Sequence, residues 1–168
     1  MYPIIVDNLF EDPDEVRNYA LGLQYLSPTN EGWLGYRCST MNESFLTMLV
    51  KKIYQYIPNF SFTESFYYCF HYSLEKTKQT CSFDFDEYKV HSDFCDFAGL
   101  IYLHPNPPKK MGTSFYNDKK ECTFSVENKY NRLVYYPGTM LHGPTNLFGE
   151  TKENGRLTLT FFSNIPSR

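Results

Sequence analysis

His91 and Asp93 are the residues of this chain whose types and spacing could do chemistry together. Side chains two positions apart on an extended segment point to the same side, so an imidazole and a carboxylate converge there. One further neutral imidazole would complete a set of two histidines and one carboxylate. Such a set holds Fe(II) from one face and leaves three positions open on the other, for a cosubstrate and dioxygen. Of the other histidines, His142 has the suitable setting, because the turn residues Tyr136-Pro137-Gly138-Thr139 lead up to it and Gly143 follows. Beyond it, Arg156-Leu157-Thr158-Leu159-Thr160-Phe161-Phe162 reads as a strand with one cation at its start, and Thr158 shares the strand face of Arg156. His71 alternates within an aromatic strand pattern and reads as structural, and His104 opens a proline-rich loop and reads as a turn residue. H-x-D alone is a weak signal that chance supplies often. The weight lies in the order and setting of His91, Asp93, His142 and Arg156 together.

The elements that must position these residues follow from periodicity. Tyr2–Val6 reads as a short strand. Asp12 then serves as an N-cap, Pro13 as the first helical residue and Glu15 as the third residue of a capping box, with Val16, Tyr19, Ala20 and Leu23 at helical spacing to about Gln24. Ser27–Gly32 reads as loop and Trp33–Arg37 as a short extended piece. A second helix fits Glu43 to about Tyr56, capped by Asn42, with Phe45, Leu46, Leu49, Ile53 and Tyr56 on its apolar side and Pro58-Asn59 beyond it. From Phe60 onward the period changes to 2. Strands are expected at Ser65–Ser73, Phe83–Val90, Ala98–Leu103, Gly112–Tyr116, Cys122–Val126, Arg132–Tyr136 and Arg156–Phe162, joined by Lys76–Gln79, His104–Lys110, Asn117–Glu121 and Gly143–Gly155. The pattern is mainly β with flanking α-helices, as a sandwich or barrel.

At 168 residues, without a low-complexity linker or internal repeat, the chain reads as one domain, 1–168. Its helical support spans about 1–58 and its β core about 60–165. Fifteen Tyr and fifteen Phe suit strands and a bulky-walled interior. A net charge of −3 lends no support to nucleic-acid binding, and Lys109-Lys110 and Lys119-Lys120 read as solvated loops. No apolar run approaches the roughly 20 residues that span a bilayer, and no basic region followed by an apolar stretch opens the chain. The five cysteines (Cys38, Cys69, Cys81, Cys95 and Cys122) are odd in number and scattered, which fits reduced thiols and a cytoplasmic setting. Cys95, close to the proposed metal, reads as an idle thiol rather than a ligand.

The segment from about Val90 to Ser163 resembles the catalytic core of the Fe(II)/2-oxoglutarate-dependent oxygenases, especially their prolyl-hydroxylase-like branch. That family carries H-x-D, a later His and then an Arg on the next strand. Ala98-Gly99-Leu100-Ile101-Tyr102-Leu103-His104 is similar to its strand ending in Tyr-Leu-Asn, and Gly112-Thr113-Ser114-Phe115 resembles its Gly-Gly-x-Thr-x-Phe strand. Ile5-Val6-Asp7-Asn8-Leu9-Phe10 with the Pro13 helix looks like its usual N-terminal entry. Two departures stand out: His104 replaces the common Asn, and Gly112-Thr113-Ser114 lacks the second Gly and shifts the Thr.

The resemblance implies a double-stranded β-helix (jelly-roll) core and Fe(II) on His91, Asp93 and His142. It also implies 2-oxoglutarate anchored through its far carboxylate by Arg156, with Tyr102 and Thr158 beside it and ascorbate as a reductant. The implied reaction consumes O2, releases succinate and CO2 and hydroxylates a substrate C–H bond; Asp93, where halogenating relatives have a small residue, argues for hydroxylation. A peptidyl prolyl or other protein side chain leads among substrates, a small molecule or free amino acid suits the compact chain, and nucleic acid comes third. The readings that compete are a non-catalytic metal- or ligand-binding jelly roll, a structural β-sandwich, and a cupin-type enzyme without 2-oxoglutarate. Oligomeric state has no signal in the sequence.

Overall fold

Asp12 opens the first helix in the way its place before Pro13 requires. In a computed structural model that describes residues 2–26, 35–38, 42–57, 66–80, 85 and 89–164, its carboxylate accepts the Glu15 N–H at 3.0 Å. Helix α1 (Pro13–Gly22) ends two residues before the expected Gln24, because Leu23 is already extended. Helix α2 (Glu43–Tyr56) has the expected bounds, and the Asn42 side chain accepts the Phe45 N–H at 2.9 Å. Both helices bury one stripe, Val16 and Ala20 on α1 and Leu49 and Ile53 on α2. A third, short helix, α3 (Thr77–Thr80), lies in the expected Lys76–Gln79 connector.

Among the described residues nine strands carry the rest: β1 (Ile4–Val6), β2 (Tyr36–Cys38), β3 (Tyr67–Ser73), β4 (Phe97–Tyr102), β5 (Thr113–Tyr116), β6 (Cys122–Val126), β7 (Leu133–Pro137), β8 (His142–Pro144) and β9 (Arg156–Ser163). They form two antiparallel sheets, one of six strands in the order β1-β7-β4-β9-β3-β2 and one of three in the order β6-β5-β8. The strand expected at Phe83–Val90 is not one at its described positions. The Lys89 N–H closes on the Phe85 carbonyl in a helical bond of 2.9 Å, and Asp84, Asp86 and Glu87 weaken the strand preference of the aromatic alternation there. The three-residue β8, with its Gly-Pro, is too short to show a period and exists through its partner β5. The expectations for Ser27–Gly32, Trp33-Leu34 and Pro58-Asn59 lie outside the described residues.

Period-2 alternation splits the large sheet into two faces. Ile101, Leu103, Leu133, Leu157, Leu159 and Phe161 pack with Tyr68, Phe70 and the helix stripes in one core. Ala98, Leu100, Tyr102, Val134 and Tyr136 meet Phe115 and Val126 of the small sheet in a second. The inner face therefore has an apolar half over β7 and β4. Over β9, β3 and β2 its register places Arg156, Thr158 and Thr160 beside Ser73, His71 and Cys69, with Arg37 at the edge. This polar half, facing the strand that carries His142, is where the site forms.

Candidate active site

His91 and His142 are held together by backbone before any side chain acts. Each donates its N–H to the other's carbonyl, at 3.0 and 2.8 Å, in an isolated antiparallel bridge. The Asp93 N–H is strapped to the Gly138 carbonyl at 2.8 Å. Gly143 makes the approach possible, since a Cβ there would overlap the Lys89 carbonyl. The expected strand end at His91 is thus a bridge, and it still sends His91 and Asp93 to one side.

The side chains converge accordingly. Asp93 Oδ1 lies 3.8 Å from His91 Nε2, Asp93 Oδ2 lies 3.3 Å from His142 Nε2, and one donor atom from each of the three lies within 4.8 Å of the others. Among the described residues this is the one such group of metal-binding side chains, and Cys95 is not in it. The Cys95 thiol donates to the Phe97 carbonyl, and burial with the charge of Asp93 pushes its pKa up to about 11, so it is a neutral thiol.

Protonation follows from the outer contacts. His91 Nδ1 is 3.0 Å from the Lys89 carbonyl and His142 Nδ1 is 2.8 Å from the Met140 carbonyl. A carbonyl only accepts, so each Nδ1 carries the proton and each Nε2 presents a lone pair to Asp93. Burial above all lowers the His142 pKa to about 3, which keeps that ring neutral. Asp93 Oδ2 is buried and accepts no hydrogen bond, so it faces the Nε2 lone pair at 3.3 Å. Two acceptors in that position repel each other unless a cation or a proton lies between them. Burial raises the Asp93 pKa, and the charge of Arg37 opposes it. Two neutral imidazoles and a carboxylate fit a divalent first-row ion.

A second cluster adjoins the first. Arg156 is 5% exposed, and its Nη2 donates to Thr113 Oγ1 at 3.2 Å. The Tyr102 hydroxyl lies 2.7 Å from the same Thr113 oxygen, and the guanidinium sits 5.6 Å from the Tyr102 ring centre. Arg156 Nε is buried without a partner, and Arg156 forms no ion pair with a described residue. Thr158 is fully buried opposite Tyr102 and donates to the His71 carbonyl at 3.4 Å. The structure thus groups Arg156 with Tyr102 and sets Thr158 beside them. Thr113 was missed as a site residue, although the Gly112-Thr113 match to the family strand carried the signal.

No protein-family model and no curated protein matches this sequence. Solved structures do. A prolyl-4-hydroxylase of Pseudomonas putida aligns with a TM-score of 0.58 at 14% identity over 97% of this chain and 92% of its own. The chain shares its fold with prolyl hydroxylases. A prolyl hydroxylase of Trichoplax adhaerens, solved with a hypoxia-inducible-factor oxygen-degradation-domain peptide, gives 0.56 at 12% over 95% and 82%. The IDO of Bacillus thuringiensis gives 0.61 at 11% over 98% and 93%. The relationship expected from the H-x-D…His…Arg order is therefore present at the level of fold. No helix among the described residues is long and apolar enough to cross a membrane.

Proposed function

We propose that this chain is an Fe(II)- and 2-oxoglutarate-dependent dioxygenase that hydroxylates a substrate C–H bond, built as one domain on a double-stranded β-helix core. The carrying observation is the pair of acceptors, Asp93 Oδ2 and His142 Nε2, held 3.3 Å apart in a buried site that only a cation or proton reconciles. His91, Asp93 and His142 would hold the iron. When bound, iron supplies the redox chemistry that couples decarboxylation of 2-oxoglutarate to succinate and CO2 with transfer of an oxygen atom from O2 to the substrate.

The protein's own residues bind and orient. The carbonyls of Lys89 and Met140 keep both Nδ1 atoms protonated, so both Nε2 atoms stay available. Arg156 offers a planar fork to the far carboxylate of 2-oxoglutarate, with Thr113 and Tyr102 fixing its pose and Thr158 adding a hydroxyl on the same face. Phe115 and Tyr136 pack against the His142 ring at centroid distances of 6.2 and 4.6 Å and exclude water from that side. The His91 side chain remains half exposed, which leaves substrate an approach from its side. The fold neighbours favour a peptidyl prolyl or other amino-acid side chain as substrate.

The test is succinate formation from 2-oxoglutarate on shifting from anaerobic to aerobic conditions with Fe(II) and ascorbate, for wild type and His142→Ala. Oxygen-dependent succinate that disappears in the variant is expected. Failure of the metal-loaded wild type to bind 2-oxoglutarate would overturn the reading in favour of a non-catalytic jelly roll.

A further inference from the structure

The face of the large sheet that looks onto the small sheet carries a phenol whose oxygen the protein does not use. Tyr136 lies on β7 in register with Ala98 of β4, and both belong to the core that the two sheets share. Only 4% of Tyr136 is exposed. Its ring packs on the small sheet, 4.6 Å from the His142 ring and 5.2 Å, edge on, from that of Phe115. Its hydroxyl nevertheless has no hydrogen-bond partner among the described residues. Neighbouring hydroxyls are committed. Thr158 and Thr160 bond the carbonyls of His71 and Cys69 at 3.4 and 3.3 Å, and Tyr102 and Thr113 bond each other at 2.7 Å. A hydroxyl withdrawn from water and left unpaired costs free energy, and the surrounding wall of Ala98, Phe115 and Val134 supplies no side-chain acceptor.

The place of Tyr136 selects the ligand atom that would pair with it. Tyr102 is four residues beyond Ala98 on β4. Tyr136 therefore starts about 13 Å along the sheet from the row where Tyr102, Thr113 and Arg156 gather, at roughly 3.3 Å per residue. It stands against His142 instead, one of the three residues that would hold the iron. The Asp93 carboxylate and the Arg156 guanidinium are the ordinarily charged groups that act on its hydroxyl, which sets that oxygen between the two clusters. 2-Oxoglutarate has a carboxylate at each end, and the far one has Arg156. The near one, beside the 2-oxo group, keeps an oxygen free of a metal that it chelates, and that oxygen is an acceptor in an apolar wall.

We propose that Tyr136 is a second cosubstrate-binding residue whose hydroxyl donates to the carboxylate of 2-oxoglutarate next to its 2-oxo group, an assignment that rests on the dioxygenase reading above. Tyr136 then holds the end of the cosubstrate that is released as CO2, and Arg156 holds the end that is kept in succinate.

The experiment titrates 2-oxoglutarate, and succinate in competition with it, into Mn(II)-loaded wild type and Tyr136→Phe, and reads heat of binding. Succinate retains the far carboxylate and lacks the near one. Phenylalanine retains the ring against His142 and Phe115 and lacks only the oxygen. Tyr136→Phe is expected to bind 2-oxoglutarate about 10- to 100-fold more weakly than wild type, as for a hydrogen bond to a charged group, and to bind succinate as wild type does. Arg156→Met is expected to weaken both ligands, so a loss confined to 2-oxoglutarate belongs to Tyr136. The assignment is overturned if 2-oxoglutarate binds wild type and Tyr136→Phe alike, which leaves the hydroxyl to the substrate. It is overturned too if both ligands lose affinity equally, or if Mn(II) no longer binds the variant, which makes Tyr136 a support for His142 alone. Failure of the Mn(II)-loaded wild type to bind 2-oxoglutarate removes the dioxygenase reading itself, whereas equal binding by wild type and variant removes only the role of Tyr136.

Discussion

Replacing Arg156 with methionine should make the metal-free protein more stable while weakening its hold on 2-oxoglutarate. Arg156 is 95% buried, donates one hydrogen bond to Thr113, leaves Nε without a partner and pairs with no described carboxylate. A cation in that position costs several kcal/mol of desolvation, and the Tyr102 ring and the Thr113 hydroxyl offset only part of it. Methionine fills a similar volume without the charge, so a net gain of about 1–3 kcal/mol is expected. At roughly 2–4 °C per kcal/mol for a chain of this size, the melting temperature should rise by about 2–12 °C. The same change removes charge-assisted hydrogen bonds to the far carboxylate of 2-oxoglutarate, about 1.5–3 kcal/mol, or roughly 10- to 100-fold in Kd. Calorimetric melts of the metal-free protein and titrations of the Mn(II)-loaded protein read the two effects separately. A variant that melts lower without ligand would refute the argument that Arg156 is held at a cost. One that binds 2-oxoglutarate as tightly as wild type would refute its role as the anion anchor.

Further outcomes follow from the same geometry. Thr113→Val, which removes the hydroxyl shared by Tyr102 and Arg156, should weaken 2-oxoglutarate binding by about 1 kcal/mol, and a double-mutant cycle with Arg156→Met should be clearly non-additive. Gly143→Ala should abolish stoichiometric Mn(II) binding in titration calorimetry, because its Cβ would push the Lys89 carbonyl and part the His91–His142 bridge; retained binding would show the bridge to be dispensable. His142 accepts a proton in the unfolded chain below its ordinary 6.5 but in the fold only near 3, so the unfolded state binds more protons between those values. Stability of the metal-free protein should therefore fall on acidification through that window, with the raised pKa of Asp93 offsetting part of the loss at its lower end. His142→Leu should flatten the profile of melting temperature against pH, and a wild-type profile that is flat or rises toward acid would contradict the assignment.

The helix caps were legible because capping is local: Asp12 and Asn42 each bond an N–H three residues on. Strands β3, β4, β5, β6, β7 and β9 were legible from alternation, which records two unlike environments on either side of a sheet. The same rule failed at Phe83–Val90, where a local helical closure at Lys89 overrode the alternation, and at β8, whose three residues become a strand only by pairing with β5. For the site, residue types and order were enough to nominate His91, Asp93, His142 and Arg156, since ligand chemistry is a property of side chains.

Sequence by itself determined which groups this protein has for chemistry and the periodicities of the elements that carry them. Tertiary structure alone decided which backbone carbonyls orient His91 and His142, and that Thr113 bridges Tyr102 to Arg156. The reason is physical. Each of those contacts is set by the orientation of a backbone carbonyl or by the register between strands remote in the chain, and neither is written in the local run of residues that a sequence pattern reads.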